Sequence, residues 1–269
     1  KIEFQYNNGN SIEIMKTVNN DIITISSDER TENWLIKDYV IKIPKETRDS
    51  LQNEKLVPEK LKEATKTKIT FAAKIEDGVI SPIKDGVLFT YLPTKVDDFH
   101  FKFLVNADFL TTASRESIHF KNVWNRFLFS KIGEILIDWI ASLADYGNSL
   151  SILPFISYEG DNKLATDFYH SLNESIESKA FIKNLDGQLV TQSQILIDDS
   201  GLSNIIGREL FCLIVDSSKS MPYYDNDAES LLDCDICADI TKVSIGTVLS
   251  NIEDNKKKKK WFKECEEEE

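Results

Sequence analysis

The 269-residue chain is long enough for two domains and can bury a sizeable core without help from disulfides or metal ions. Its hydrophobic content of 41% and charged content of 29% are typical of a globular protein. The net charge of −13 argues against a nucleic-acid partner, because contact with a phosphate backbone requires an excess of lysine and arginine.

The sequence also argues against membrane and disulfide-rich classes. Its four cysteines are too few for a disulfide framework in a chain of this length. No apolar run reaches the roughly 18 residues of a membrane helix, and the first residues lack a signal-peptide pattern. We therefore expect a cytoplasmic protein with no membrane partner. Because the sequence starts directly in a strand-like pattern at Lys1, we also expect it to be a piece of a larger protein.

The first half of the chain predicts an antiparallel or mixed sheet. Apolar residues alternate or cluster in short stretches, and turn residues rich in Asn, Asp and Gly separate them. The turn Asp77-Gly78 predicts a hairpin, and the charged stretch Lys45–Lys66 predicts a loop or short helix. The predicted strands are Ile2–Tyr6, Ser11–Lys16, Asp21–Ser26, Trp34–Ile43, Ile69–Lys74, Val79–Ile80 and Val87–Tyr91.

The stretch Phe101–Leu143 predicts a strand, a polar turn around Asn106 and Asp108, and a long helix. Apolar residues from Phe120 to Leu143 recur at three- and four-residue steps, so the helix should cover one face of the sheet. Ser114 is the expected N-cap, and Gly147 the expected stop signal. The predicted fold class is α/β (α+β), with a mixed or antiparallel sheet covered by a long helix.

Arg115 is the first candidate for a functional residue. A helix capped by Ser114 would place the Arg115 guanidinium at the positive end of the helix dipole, which is unfavourable unless an anion is held there. This makes Arg115 a candidate for a phosphate contact. The alternative for a lone arginine is a surface ion pair, with Glu116 or another carboxylate.

The run Asn106-Ala-Asp-Phe-Leu-Thr-Thr-Ala-Ser-Arg-Glu116, followed by an amphipathic helix, resembles the middle-domain segment of heat-shock chaperones of the ninety-kilodalton class and of sacsin-type proteins. Both belong to the ATPases with the GHKL nucleotide fold. In the chaperones the arginine of this segment reaches the γ-phosphate of ATP bound by the preceding domain, so the resemblance implies that role for Arg115. The family's asparagine and glutamine near that arginine are replaced here by Thr112 and His119, the candidates for further nucleotide contacts.

The nucleotide pocket itself is not expected in this chain. The sequence contains no Gly-x-x-x-x-Gly-Lys-Ser/Thr run, no Gly-x-Gly-x-x-Gly run and no Asp-x-Gly-x-Gly pattern of the GHKL family. We therefore expect ATP and Mg²⁺ to be bound only through an upstream ATP-binding domain, and no activity from this chain alone. Two alternatives remain open: a non-catalytic module that binds a client or partner protein through an exposed apolar surface, and an unrelated α/β enzyme with a deep pocket.

We predict two domains, the first over residues 1–155 and carrying the arginine segment, the second over 156–269. The second is expected to be a smaller α/β domain whose charged C-terminus is helical. Its predicted elements include a helix at Ala165–Ser178, a buried strand at Phe211–Val215 and a short helix at Leu202–Ile206. Cys234-Asp-Ile-Cys237 has the spacing of half a zinc site, but no second pair accompanies it, so free cysteines in a helix are expected.

Overall fold

The structure is a computed structural model that describes residues 2–5, 11–19, 21–84, 86–96, 99–114, 116–153, 162–232 and 234–254. Two sequence predictions lie outside these residues. They are the position of Arg115 and the charged helical C-terminus beyond residue 254.

The first part of the chain forms a mixed, mainly antiparallel sheet, which confirms the predicted fold class. Nine strands can be traced in the described ranges, in the order β1-β2-β3-β4-β5-β9-β7-β8, with β6 paired to β5. The pair β7–β9 is parallel and all others are antiparallel. The strands are β1 (Ile2–Gln5), β2 (Ser11–Asn19), β3 (Ile22–Ser26), β4 (Thr31–Lys42), β5 (Lys66–Glu76), β6 (Val79–Ser81), β7 (Leu88–Thr90), β8 (Leu92–Pro93) and β9 (Leu104–Ala107).

The predicted hairpin at Asp77-Gly78 is confirmed. Both residues have positive φ, 51° for Asp77 and 82° for Gly78, as the tight turn between β5 and β6 requires. Two short helices, α1 (Lys45–Leu51) and α2 (Glu59–Lys62), occupy the charged stretch between β4 and β5, as expected.

One face of the sheet packs against a single long helix, α3 (Val123–Leu143). Alternation along the strands places Leu35 opposite Ala73, and Phe71 opposite Val105, on that face, where all four are buried. The Phe71 ring stacks on Trp139 of α3 at a centroid distance of 4.8 Å. The long helix therefore covers the sheet as predicted, and it ends before Gly147, whose φ is 68°.

The start of α3 was predicted wrongly. The helix begins at Val123, and its N-cap is Asn122, whose side-chain oxygen accepts a hydrogen bond from Trp124 N at 2.8 Å. Ser114 does not cap it. Thr112 N donates to Ser117 O and His119 N donates to Leu110 O instead, so these groups are not available for a helical turn.

Helix α4 (Lys163–Ser178) lies along α3, and the two helices run in the same direction. Their contacts repeat every four residues at a constant sequence offset. Arg126 and Asp167 form a bidentate ion pair at 2.6 and 3.0 Å, and the hydroxyls of Ser130 and Ser171 lie 2.9 Å apart. Ser175 Oγ donates to Glu134 O at 3.0 Å, and Lys179 forms an ion pair with Asp138 at 2.8 Å.

Gly133 allows this close approach. A Cβ atom at Gly133 would lie 2.3 Å from the carbonyl oxygen of Phe168, so only glycine fits where the two backbones meet. One buried cluster includes Phe71 and Trp139 from before residue 155 as well as Phe168 and Phe181 from after it. The core therefore crosses the predicted domain boundary, and the division at residue 155 stays a prediction.

The rest of the chain forms two small sheets and short helices. The antiparallel pair β10–β11 and the parallel pair β12–β13 are the small sheets. The elements are β10 (Ile182–Lys183), β11 (Leu189–Val190), β12 (Leu196–Asp198), α5 (Ser203–Ile206), α6 (Arg208–Val215), α7 (Asp225–Leu232), β13 (Thr241–Val243) and α8 (Ile245–Asp254).

Two expectations for this region are wrong. Phe211–Val215 was predicted as a strand but belongs to helix α6. Cys234 and Cys237 were expected in a helix but lie in a turn after α7. No helix within the described ranges has the length and apolar character to cross a membrane.

Candidate functional site

The segment Leu110–His119, here called the 110–119 loop, contains all three predicted site residues in sequence. Its two arms run antiparallel: His119 N donates to Leu110 O at 2.9 Å, and Thr112 N donates to Ser117 O at 2.9 Å. Between the arms, Ala113, Ser114 and Glu116 are exposed, and Arg115 lies outside the described residues. The described residues of the loop thus combine an exposed tip with half-buried arms just before α3.

A single buried side chain holds both arms. Asn125 in the first turn of α3 is fully buried, and its Oδ1 accepts a hydrogen bond from Leu110 N at 2.8 Å. Its Nδ2 donates to Leu110 O at 2.8 Å and to His119 O at 3.1 Å. One amide thus satisfies three backbone groups of the loop, and buried polar groups are rarely left without such partners. Sequence reasoning missed Asn125, because an asparagine within an apolar helical stripe belongs to no local motif.

Further hydrogen bonds fix the chain just before the loop. Trp124 Nε1 donates to Asp108 O at 2.7 Å, and Thr67 Oγ1 donates to the Asp108 carboxylate at 3.3 Å. The side-chain oxygen of Asn106 accepts a hydrogen bond from Tyr91 N at 3.3 Å. Together with Asn125, these contacts tie the loop to both α3 and β5.

Glu116 has its own cation. The Lys95 ammonium forms an ion pair with the Glu116 carboxylate, and Lys95 N donates to Glu116 O at 2.9 Å. The pairing of Glu116 with Arg115 that sequence reasoning considered is therefore not needed to balance this carboxylate. Lys95 is a second residue that sequence reasoning missed, because it lies 21 positions away in the chain.

Thr112 and His119 lie on opposite arms. The Thr112 hydroxyl is 3.1 Å from Ser114 Oγ and 3.3 Å from Ser117 O, so its polar contacts are made within the loop. His119 lies at the base of the loop. It precedes helix α3, which begins at Val123, and therefore does not lie in the predicted helix.

The side chain of His119 lines a shallow depression of about 380 Å³ beside the α1–α2 connection. The depression has a mixed polar and apolar wall to which Glu54 and Lys121 contribute opposite charges. In the part of the chain that the structure describes, no three His, Cys, Asp or Glu side chains are grouped so as to hold a metal ion. The other lining residues of the depression are Leu56, Phe120 and Asn122.

Comparison of the chain with protein-family models, with curated proteins and with solved structures gives no match. What the chain does must therefore be inferred from the 110–119 loop and the surfaces around it.

Proposed function

We propose that this chain is the middle segment of a chaperone-like ATPase of the GHKL type, similar to heat-shock chaperones of the ninety-kilodalton class and to sacsin-type proteins. The 110–119 loop docks on an upstream ATP-binding domain of the same protein, and Arg115 donates to the γ-phosphate of ATP. ATP and Mg²⁺ are held by that upstream domain. The observation that carries the proposal is the attachment of both arms of the loop to the buried amide of Asn125.

An arginine that stabilises phosphoryl transfer must be positioned before the reaction starts. Negative charge spreads over the equatorial oxygens of the phosphoryl group in the transition state, and a planar guanidinium can donate to two of them. Fixed donors contribute more than mobile ones, because no reorganisation is needed at the moment of reaction. The hydrogen bonds from Asn125 and Trp124 supply such a fixed base for the loop.

The electrostatics of the described loop residues are compatible with an anionic ligand. Glu116 is the one carboxylate among the described residues of the loop, and Lys95 neutralises it. Thr112 and His119 are the further nucleotide contacts in this proposal, and His119 faces open space at the loop base.

The test uses this chain and the intact protein side by side. Isothermal titration of ATP into this chain should show no submicromolar binding. In the intact protein, Arg115→Ala should lower turnover by on the order of 10³-fold and leave nucleotide affinity nearly unchanged. Arg30→Ala is the matched control, because Arg30 is an exposed arginine on the β3–β4 turn that pairs with Glu32. Lost affinity with normal turnover would overturn the assignment of Arg115.

A second candidate function, client or partner binding, is favoured by the outer face of the sheet. Residues that alternate with the buried ones, such as Ile36, Ala72 and Leu104, are neighbours on the face away from α3. They line an open groove of about 340 Å³ together with Phe89 and Tyr91, and Tyr91 is 96% exposed. Apolar surface of this kind is typical of interaction sites.

The two functions separate experimentally. Ile36→Lys and Leu104→Lys introduce charge into the groove and should reduce the suppression of aggregation of an unfolded client protein. They should leave turnover of the intact ATPase unchanged. If both functions are present, Arg115→Ala should lower turnover and leave the suppression of client aggregation unchanged. Client protection that survives both lysine substitutions would exclude the groove.

A further inference from the structure

Cys234 and Cys237 stand at the two ends of one tight turn between α7 and β13. Asp235 and Ile236 are the central residues of that turn. The Cα atoms at the ends of such a turn are less than about 7 Å apart. A disulfide requires a Cα separation of about 4.4–6.8 Å. The backbone therefore already holds these two cysteines at a distance that a disulfide bond can span.

The two cysteines share one buried cluster. Both cysteines are free and buried, Cys234 with 2% and Cys237 with 3% of its surface exposed. Lys102 lies close enough to Cys234, and Lys242 to Cys237, for their charges to interact. Lys102 and the Asp235 carboxylate therefore act on Cys234 with opposite charges.

These contacts make the two thiols unequal. Hydrogen bonding from Cys237 and from the N–H groups of Ile236 and Cys237 lowers the pKa of Cys234 despite its burial. The pKa of Cys237 is raised, first by its hydrogen bond to Cys234 and then by burial. A thiol whose pKa is lowered, next to a second thiol, favours thiol–disulfide chemistry. Cys212 provides the contrast, because it lies on α6 without a second cysteine and burial raises its pKa.

We propose that Cys234 and Cys237 form a redox-active dithiol that hydrogen peroxide converts to an intramolecular disulfide. A small neutral oxidant is favoured, because both sulfurs are buried within the main core. A zinc site is disfavoured by ligand count, since zinc takes four ligands in structural sites and the described residues offer no third ligand near the pair.

The reaction balances in two steps. The Cys234 thiolate attacks one oxygen of the peroxide, an S–O bond forms, the O–O bond breaks, and hydroxide leaves. The Cys237 sulfur then attacks the Cys234 sulfur, the S–S bond forms and the S–O bond breaks. The second hydroxide leaves as water with the Cys237 proton. Two electrons pass from the sulfurs to the peroxide, and a dithiol reductant returns them.

The experiment uses the full chain with Cys265→Ser, which removes the cysteine outside the described residues and leaves three thiols, Cys212, Cys234 and Cys237. The folded protein is treated with stoichiometric hydrogen peroxide, denatured, alkylated and weighed by mass spectrometry. We expect the number of alkylated thiols to fall from three to one and to return to three after dithiothreitol. Peptide mapping of the unalkylated product should show a mass lower by two hydrogens in the peptide that contains residues 234–237.

The variants separate a disulfide from general oxidation. Cys234→Ser and Cys237→Ser should form no internal disulfide, whereas Cys212→Ser should form it as the parent does. The parent peptide map requires no variant, so a substitution that fails to fold does not affect it. Retention of three thiols, a disulfide between two chains, or equal thiol loss in the parent and in Cys234→Ser would overturn the proposal.

Discussion

Replacing Asn125 with leucine tests whether one amide holds the 110–119 loop. Leucine has a similar size but cannot pair with Leu110 N, Leu110 O or His119 O. Losing the three hydrogen bonds should cost about 1 kcal/mol each, although Leu110 O and His119 O keep their hydrogen bonds from His119 N and Asn122 N. Burial of the leucine side chain offsets about half of that loss. We therefore expect Asn125→Leu to lower the free energy of unfolding by ~2 kcal/mol.

Asn125→Asp is a second variant, and its stability is compared with that of Asn125→Leu. At neutral pH its carboxylate would face the two carbonyl oxygens that the amide N–H groups now contact, and a buried unpaired charge is more costly than a lost hydrogen bond. Asn125→Asp should thus be less stable than Asn125→Leu at pH 7.5. The gap should narrow in acid, where the protonated carboxyl can donate to one carbonyl oxygen.

Urea unfolding measures the stabilities, and amide hydrogen exchange localises the effect. Exchange at Leu110 should accelerate in Asn125→Leu, because that N–H loses its acceptor. The Trp124 amide is the internal control, since Asn122 caps it in every variant. An Asn125→Leu protein with wild-type stability and unchanged exchange at Leu110 would refute the claim that Asn125 holds the loop.

Two further predictions concern packing and buried charge. Gly133→Ala should destabilise the protein by about 2 kcal/mol, because its Cβ would lie 2.3 Å from Phe168 O. Gly246→Ala, where the nearest atom would be 3.8 Å away, should instead raise the unfolding temperature slightly, and equal effects would contradict the close contact. Burial raises the pKa of Asp227 from 3.8 to about 6, so its contribution to stability is complete below pH 3.8 and is lost as the pH rises through 6. Asp227→Asn keeps an acceptor for Leu150 N, so it should stabilise the protein by up to about 3 kcal/mol at pH 7.5 and have little effect near pH 4. Urea unfolding at the two pH values measures this difference. A gain of equal size at both pH values would contradict the burial of a charged Asp227.

The strands and turns of the first half could be predicted because their signals are local. Alternating apolar residues decide which face of a strand is buried, and Asp77-Gly78 has the positive φ angles that a two-residue hairpin turn needs. The helices α3 and α4 were also predicted, since an apolar stripe repeating every three to four residues is unambiguous over such lengths.

The errors arose where local signals compete. Ser114 and Asn122 are both good N-cap residues, and the choice between them depends on the pairing of the loop arms, which no sequence pattern shows. The short apolar run Phe211–Val215 fits a buried strand or a helix equally well. In the structure Leu213 is 58% exposed while Phe211 and Ile214 are buried, which is the pattern of one helix face.

The roles of Asn125 and Lys95 could not be predicted from the sequence for a different reason. Asn125 and Lys95 act on the loop through hydrogen bonds and an ion pair formed only after α3 and the strand connections have packed. A resemblance in sequence can nominate Arg115, but it does not reveal which other parts of the chain hold the loop in place.

Helix α3 begins just after the 110–119 loop and packs against α4 along its side. At Gly133 the two helix backbones touch, so a sideways displacement of α4 has no free space to use before it pushes on α3. The first turn of α3, with Asn125, would move with the rest of that helix. A mechanical signal that starts in the carboxy-terminal half of the chain would thus reach the loop through the contact between the two helix backbones.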